Sequence, residues 1–118
     1  MNLAELFRHE TDVVALPAGH ALFKEGDQGD LMYVLISGTA EILVRERLME
    51  TAEAGALLGE MAMIEDSTRS ASVIAKSDCT LLPVERKRFN FMIQQTPNFA
   101  LHVMRVIANR LRRADACL

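Results

Sequence analysis

Gly59-Glu60-Met61-Ala62-Met63-Ile64-Glu65-Asp66-Ser67-Thr68-Arg69-Ser70-Ala71-Ser72-Val73-Ile74-Ala75 opens on a glycine, passes through a helical turn and a polar loop to one arginine, and ends in a β-favouring run. That order suits the holding of a small anion. The first turn of a helix leaves backbone N–H groups without partners, and the positive end of the helix dipole lies at the same place. Gly59 lets a phosphate approach the backbone, and the forked guanidinium of Arg69 can close on it from the other side. Glu60 repels an anion unless it has another task. A carboxylate there can accept a hydrogen bond from a sugar hydroxyl on the same ligand, so the residue types point to a phosphate joined to a ribose.

Outward from this stretch the chain is a series of short β-favouring runs: Asp12–Leu16, Ala21–Phe23, Met32–Ile36, Ala40–Val44, Leu48–Thr51, Ser70–Ala75 and Thr80–Val84. Pro17-Ala18-Gly19, Gly26-Asp27-Gln28-Gly29 and Ser37-Gly38 separate them with turn chemistry, and Arg45–Arg47 reads as a hairpin tip. Gly26, Gly29 and Gly38 are read as turn residues. So many short strands at regular spacing argue for a closed or double-sheet antiparallel β-roll, which leaves fewer exposed edges than an open sheet. Leu3, Leu6 and Phe7 recur at helical spacing at the start. After residue 86 the period changes again, with Phe89, Met92 and Ile93 on one helix face and Thr96-Pro97 opening a second helix that runs to about Ala114. Its stripe is Ala100, Val103, Met104, Ile107, Leu111 and Ala114, widened by Phe99 and Val106, which is broader than packing on a small roll requires. The fold class is therefore mainly β, with a short N-terminal helix, a short helix after Gly59 and two C-terminal helices.

Leu58-Gly59-Glu60-Met61-Ala62-Met63 followed by Arg69-Ser70-Ala71-Ser72-Val73 resembles the phosphate-binding cassette of cyclic nucleotide-binding domains. Catabolite activator proteins, protein kinase A regulatory subunits and cyclic nucleotide-gated channels share this module. The run from Phe23-Lys24-Glu25-Gly26-Asp27-Gln28-Gly29-Asp30 to Leu35-Ile36-Ser37-Gly38 is similar to the first hairpin of the same family. One departure is Thr68, where family members often have proline. The resemblance implies the β-roll fold. It also implies that backbone N–H groups around Gly59, Glu60, Met61 and Ala62 meet a cyclic phosphate, that Arg69 neutralises it, and that Glu60 holds the 2′-hydroxyl, with Ser70 and Ala71 alongside. Ser70 either faces the ligand or satisfies a strand-end backbone group. Leu48, Met49, Leu57, Leu58 and Val73 are candidate neighbours of the base, and the last helix is the candidate moving part. Arg69-Ser70-Ala71 is closer to bacterial cAMP receptors than to the threonine-bearing cGMP binders, so cAMP is the expected ligand and cGMP the alternative.

The 118 residues are expected to form one domain, 1–118, with an apolar fraction of 50% that is enough for a packed core. Net charge is −3, with 6 Lys/Arg against 14 Asp/Glu in residues 1–84 and 7 against 2 in 85–118. Arg86, Lys87, Arg88, Arg105, Arg110, Arg112 and Arg113 make the tail basic, but charges on helical patterns are expected to face water. No helix-turn-helix pattern follows the long helix within these residues, so direct DNA reading is not expected of them. Cys79 and Cys117 have no Cys-x-x-Cys spacing and His9, His20 and His102 are scattered, which speaks against a metal site and against cupin-type catalysis. Ser67, Ser70 and Ser72 lack a nucleophile elbow, so no catalytic residue is expected. A charged N-terminus and the absence of a long apolar run fit a cytoplasmic protein without membrane insertion. The expected function is a regulatory sensor, with a partner protein or a second copy meeting the C-terminal helix. The alternatives are a degenerate fold serving protein interaction or dimerisation, and the effector-binding part of a transcription regulator.

Overall fold

The computed structural model describes residues 2–116, so Cys117 lies outside the described residues. The elements are α1 (Leu3–Leu6), β1 (Val14–Leu16), β2 (Ala21–Phe23), β3 (Leu31–Ser37), β4 (Ala40–Val44), β5 (Arg47–Ala52), β6 (Leu57–Leu58), a 3₁₀ turn (Glu60–Met63), β7 (Ser72–Ala75), β8 (Cys79–Glu85), α2 (Arg86–Gln95) and α3 (Pro97–Ala116). The strands form two four-stranded sheets, ordered β1-β8-β3-β6 and β2-β7-β4-β5, and every pairing is antiparallel. This is the expected β-roll with its helices.

The run Met32–Ile36 is apolar without a break because both faces of β3 are covered. Tyr33 and Leu35 point between the sheets, where Leu58, Cys79 and Leu81 meet Ala40, Ile42, Val73 and Ala75 of the other sheet. Met32, Val34 and Ile36 point the opposite way, into a second core with Leu82 and Val84 of β8, Leu3 and Phe7 at the start of the chain, and Phe89, Phe99 and Val103 of the last two helices. The helical subdomain thus packs on the outer face of the first sheet.

Several boundaries differ from expectation for local reasons. β1 begins at Val14 and not at Asp12: extending the register of Val14 opposite Leu81 would set Asp12 opposite Pro83, which has no N–H to give. β7 begins at Ser72, leaving Ser70 and Ala71 in the loop. The β4–β5 tip is a two-residue turn in which Arg45 (φ 53°) and Glu46 (φ 67°) both take left-handed conformations, as tight hairpin turns require. Leu6 does not join Leu3 and Phe7 in the core but is 57% exposed. In α3 the buried face is Phe99, Val103, Val106 and Ile107, while Leu101 and Met104 lie outward and Leu111 is exposed at the edge between the two faces. Cys79 is buried with a free thiol, which burial pushes up from its ordinary pKa. Among the described residues no helix is long and apolar enough to cross a membrane, and no group of His, Cys, Asp and Glu is placed to hold a metal ion.

Candidate functional site

The two glycine-rich stretches meet in space at Arg69. Its backbone is fastened to the β2–β3 turn on both sides: the Arg69 N–H donates to Asp27 O at 2.8 Å, and the Gly26 N–H donates to Arg69 O at 2.9 Å. The turn itself is closed by Asp27, whose carboxylate accepts from the Lys24 N–H at 3.0 Å. Hence the hairpin places the cassette arginine, although the two lie about forty residues apart in the chain.

The Arg69 side chain is 8% exposed. Nη2 donates to Leu31 O at 2.8 Å and Nη1 to Gly59 O at 3.4 Å, and the guanidinium carbon lies 4.1 Å from the centre of the Phe23 ring. Nε has no partner and is closed off from solvent. A buried cationic group with an orphaned donor is costly unless an acceptor, best an anion, completes it. Burial pushes the Arg69 pKa down, against the opposing pull of Tyr33, Asp30, Asp27 and Glu60, yet an arginine keeps its charge at neutral pH. Gly29, expected to be only a turn residue, has a second reason to be glycine: a Cβ there would run into the Arg69 guanidinium. Gly59 opens the 3₁₀ turn at φ 76°, and a Cβ on it would come 2.5 Å from Arg69 Nη1.

A cavity of about 440 Å³ lies against this arginine. One end is the turn from Gly59 to Ala62 with Ser67, Thr68, Arg69, Ser70 and Ala71. Gly59, Glu60, Met61, Ala62, Arg69, Ser70 and Ala71, the ligand-site residues expected from the sequence, therefore all line the same cavity. The Ala62 N–H is turned inward to Gly59 O at 3.2 Å, so the N–H groups open to an anion are those at the start of the turn. The other end is apolar, built from Phe23, Ile42, Val44, Met49, Leu58 and Val73, with Ile107 and Leu111 of α3 across from them. Met49, Leu58 and Val73 were expected there. Leu48 and Leu57 were expected too and are not: Leu48 is 53% exposed, and Leu57 is buried in the core beneath the helices.

The largest departure is Arg110. Expected to face water, its side chain is only 19% exposed and is held by two carboxylates. Nη1 donates to Glu60 Oε2 at 2.7 Å, while Nε and Nη2 donate to the two oxygens of Glu50 at 3.0 and 3.2 Å. Arg113 adds a bond to Glu50 Oε1 at 2.7 Å. Burial opposes the charge on both partners. The paired charges and hydrogen bonds outweigh it, lowering the Glu50 pKa and raising that of Arg110. Glu60 is consequently not a free acceptor, since one oxygen already belongs to Arg110 and the other is left for a ligand hydroxyl. The sequence did hold a signal: Arg110 follows Val103, Val106 and Ile107 at helical spacing, on the buried stripe. Arg86 and Arg88 are also engaged, Arg86 with Ala62 O and Asp66, Arg88 with Glu10.

A family profile described as "Cyclic nucleotide-binding domain" matches residues 13–96. The chain is 33% identical over 104 residues to the Cyclic AMP receptor protein of Thermus thermophilus, covering 84% of this chain and 48% of that protein. The crystal structure of the Thermus thermophilus catabolite activator protein superposes with a TM-score of 0.78 at 31% identity, over 88% of this chain and 51% of that one. The EAL enzyme Bd1971 in its cAMP-bound form superposes with a TM-score of 0.66 at 30% identity, over 88% of this chain and 29% of that one. This chain thus spans about half the length of the receptor it matches.

Proposed function

The chain belongs to the cyclic nucleotide-binding domain family, and from that premise we propose that it is a regulatory sensor, not an enzyme, whose ligand is a cyclic nucleotide, cAMP in the first instance and cGMP in the second. The reading rests above all on the buried guanidinium of Arg69, which lines the cavity beside the turn from Gly59 and has one donor, Nε, without a partner. The cyclic phosphate accepts from Arg69 and from N–H groups at the start of the turn that begins at Gly59, with Glu60 and Met61 forming its cradle and Ala62 beside it. The 2′-hydroxyl donates to the free oxygen of Glu60. The base lies among Met49, Leu58 and Val73, with Ser70 and Ala71 at its rim and Ile107 and Leu111 above. Residues 1–118 act as one such module, without metal or cofactor, in the cytoplasm. The preference for cAMP leans on the name of a relative, a cyclic AMP receptor, while the EAL enzyme is solved with cAMP and with cGMP alike and keeps cGMP as the alternative.

Signalling runs through α3. Arg110 already ties that helix to Glu60, so a ligand hydroxyl arriving at Glu60 competes with or completes the same hydrogen-bond set, and the helix position responds to it. The outward row formed by Leu101 and Met104, spaced for one helix face, is the surface for a partner protein or a second copy. That row also favours the second reading, a fold kept for interaction or dimerisation alone. The length relation to the receptor leaves open that these residues are the effector-binding part of a transcription regulator, whose DNA contacts would lie in other residues. Calorimetric titration with cAMP and cGMP tests the reading. Micromolar or tighter binding of one of them is expected, and no binding of either would leave interaction as the function.

A further inference from the structure

We propose that Arg86, the first residue of α2, is a positioning residue that holds the two halves of the phosphate site in register. The inference rests on the cyclic nucleotide reading above and adds a residue outside the cavity lining.

The halves are the N–H groups at the start of the 3₁₀ turn and the guanidinium of Arg69. Residues 64–68, which join them, are all exposed. The near end of this loop is tied by the Ile64 and Glu65 N–H groups, which both donate to Met61 O, and the far end by Arg69 itself. Between those ends the described hydrogen bond to the loop comes from Arg86, which also grips the turn just before it. Its Nη2 donates to Ala62 O at 2.6 Å and to Asp66 Oδ1 at 3.1 Å. Ala62 is buried, and its carbonyl accepts from no backbone N–H among the described hydrogen bonds. The guanidinium therefore satisfies a buried acceptor at the end of the turn and grips the loop three residues before Arg69. The Asp66 arm is 89% exposed and is weakened by water, so the Ala62 arm dominates. An exposed segment fastened only at its ends samples many conformations, and a phosphate that needs both halves must then pay for ordering it. Arg86 supplies that order in advance.

The test compares cAMP with adenosine, which has the base and the 2′-hydroxyl but no phosphate. In the full chain, Arg86→Met is expected to weaken cAMP binding about 10-fold, as for loss of one half-exposed bond from a charged donor. Adenosine affinity is expected to stay within about twofold, because the Glu60 side chain that meets its 2′-hydroxyl is held by Arg110 and the base contacts Met49, Leu58 and Val73 lie outside the loop. Arg86→Lys, which keeps a cationic donor for the Ala62 carbonyl, is expected to recover most of the cAMP affinity and serves if the methionine variant does not fold. In an Arg69→Ala background the Arg86 substitution is expected to lose most of its effect, since the register it maintains has no second half. Unchanged cAMP affinity, or equal losses for cAMP and adenosine, would overturn the role of Arg86. If the parent chain bound no cAMP, the cyclic nucleotide reading would fail first and this proposal with it, an outcome distinct from failure of Arg86 alone.

Discussion

Arg110→Met tests how α3 is held. Methionine keeps much of the side-chain volume between the helix and β5, so the change is mainly electrostatic. It removes three charge-assisted bonds, two on Glu50 and one on Glu60. Glu50 keeps Arg113, but Glu60, whose side chain is 7% exposed, loses its cation. Removing one partner of a fully buried pair typically costs about 3–5 kcal/mol. Water reaches Arg110 and Glu50, at 19% and 18% exposure, and Arg113 compensates in part, which lowers the expected loss to about 2–3 kcal/mol. For a domain of this size that corresponds to a fall in Tm of about 10 °C. Urea and thermal denaturation followed by circular dichroism measure it. Adding Glu60→Gln to Arg110→Met should recover part of the loss, because the uncompensated carboxylate is gone, with a coupling energy of about 1–2 kcal/mol. A loss below about 0.5 kcal/mol, or strict additivity of the two changes, would show that α3 is held by apolar packing alone and that the Glu60 link does not carry load.

Gly29→Ala has no backbone conformation to violate and should leave the fold intact, but its Cβ displaces the Arg69 guanidinium and should weaken cyclic nucleotide binding about 10-fold or more by calorimetry; full affinity would mean that Arg69 is placed by other contacts. Because Glu50 has a lowered pKa in the folded state, its contribution is fully present above the ordinary glutamate range and is lost as pH falls through the lowered native value. Below about pH 5 the parent should thus lose stability more steeply than Glu50→Gln, and parallel pH profiles from denaturation would contradict the pairing with Arg110 and Arg113. If the outward face of α3 joins two copies, sedimentation velocity should find a dimer that Met104→Glu converts to monomer. A parent that stays monomeric at all concentrations removes self-association from the account.

The strand plan was legible because its cues are local: alternation or unbroken apolar runs, bounded by glycine, proline and serine. The residues of Gly59–Ala62 and Arg69–Ala71, which line one cavity, stood out for the same reason, being close in the chain and of unusual chemistry. What the sequence concealed are relations between distant segments. Gly29 looks like one more turn glycine until Arg69 is laid against it. Phe23 is an ordinary strand aromatic until its ring is found under the guanidinium. The helix stripe was drawn rightly through Val106 and Ile107, but it also took in Met104 and Leu111, which are exposed, and left out Arg110, which is not. An arginine on a helix is normally solvated, and only the arrival of Glu50 and Glu60 from other elements makes this position a favourable one for a charge. Leu48 was misplaced because the hairpin turn at Arg45 and Glu46 sets which face of β5 looks inward, and β5 also breaks register between Ile42 and Leu43 of its partner.

The central claim is that the buried guanidinium of Arg69 awaits the phosphate of a cyclic nucleotide. Isothermal titration of cAMP into the parent and into Arg69→Lys tests it most directly, since lysine keeps the charge but lacks the fork and the orphaned Nε donor. The account predicts that the parent binds and that Arg69→Lys, folded by circular dichroism, binds on the order of 30-fold or more weakly, as expected for losing about 2 kcal/mol of charge-assisted hydrogen bonding. Equal affinity in the two proteins would contradict it.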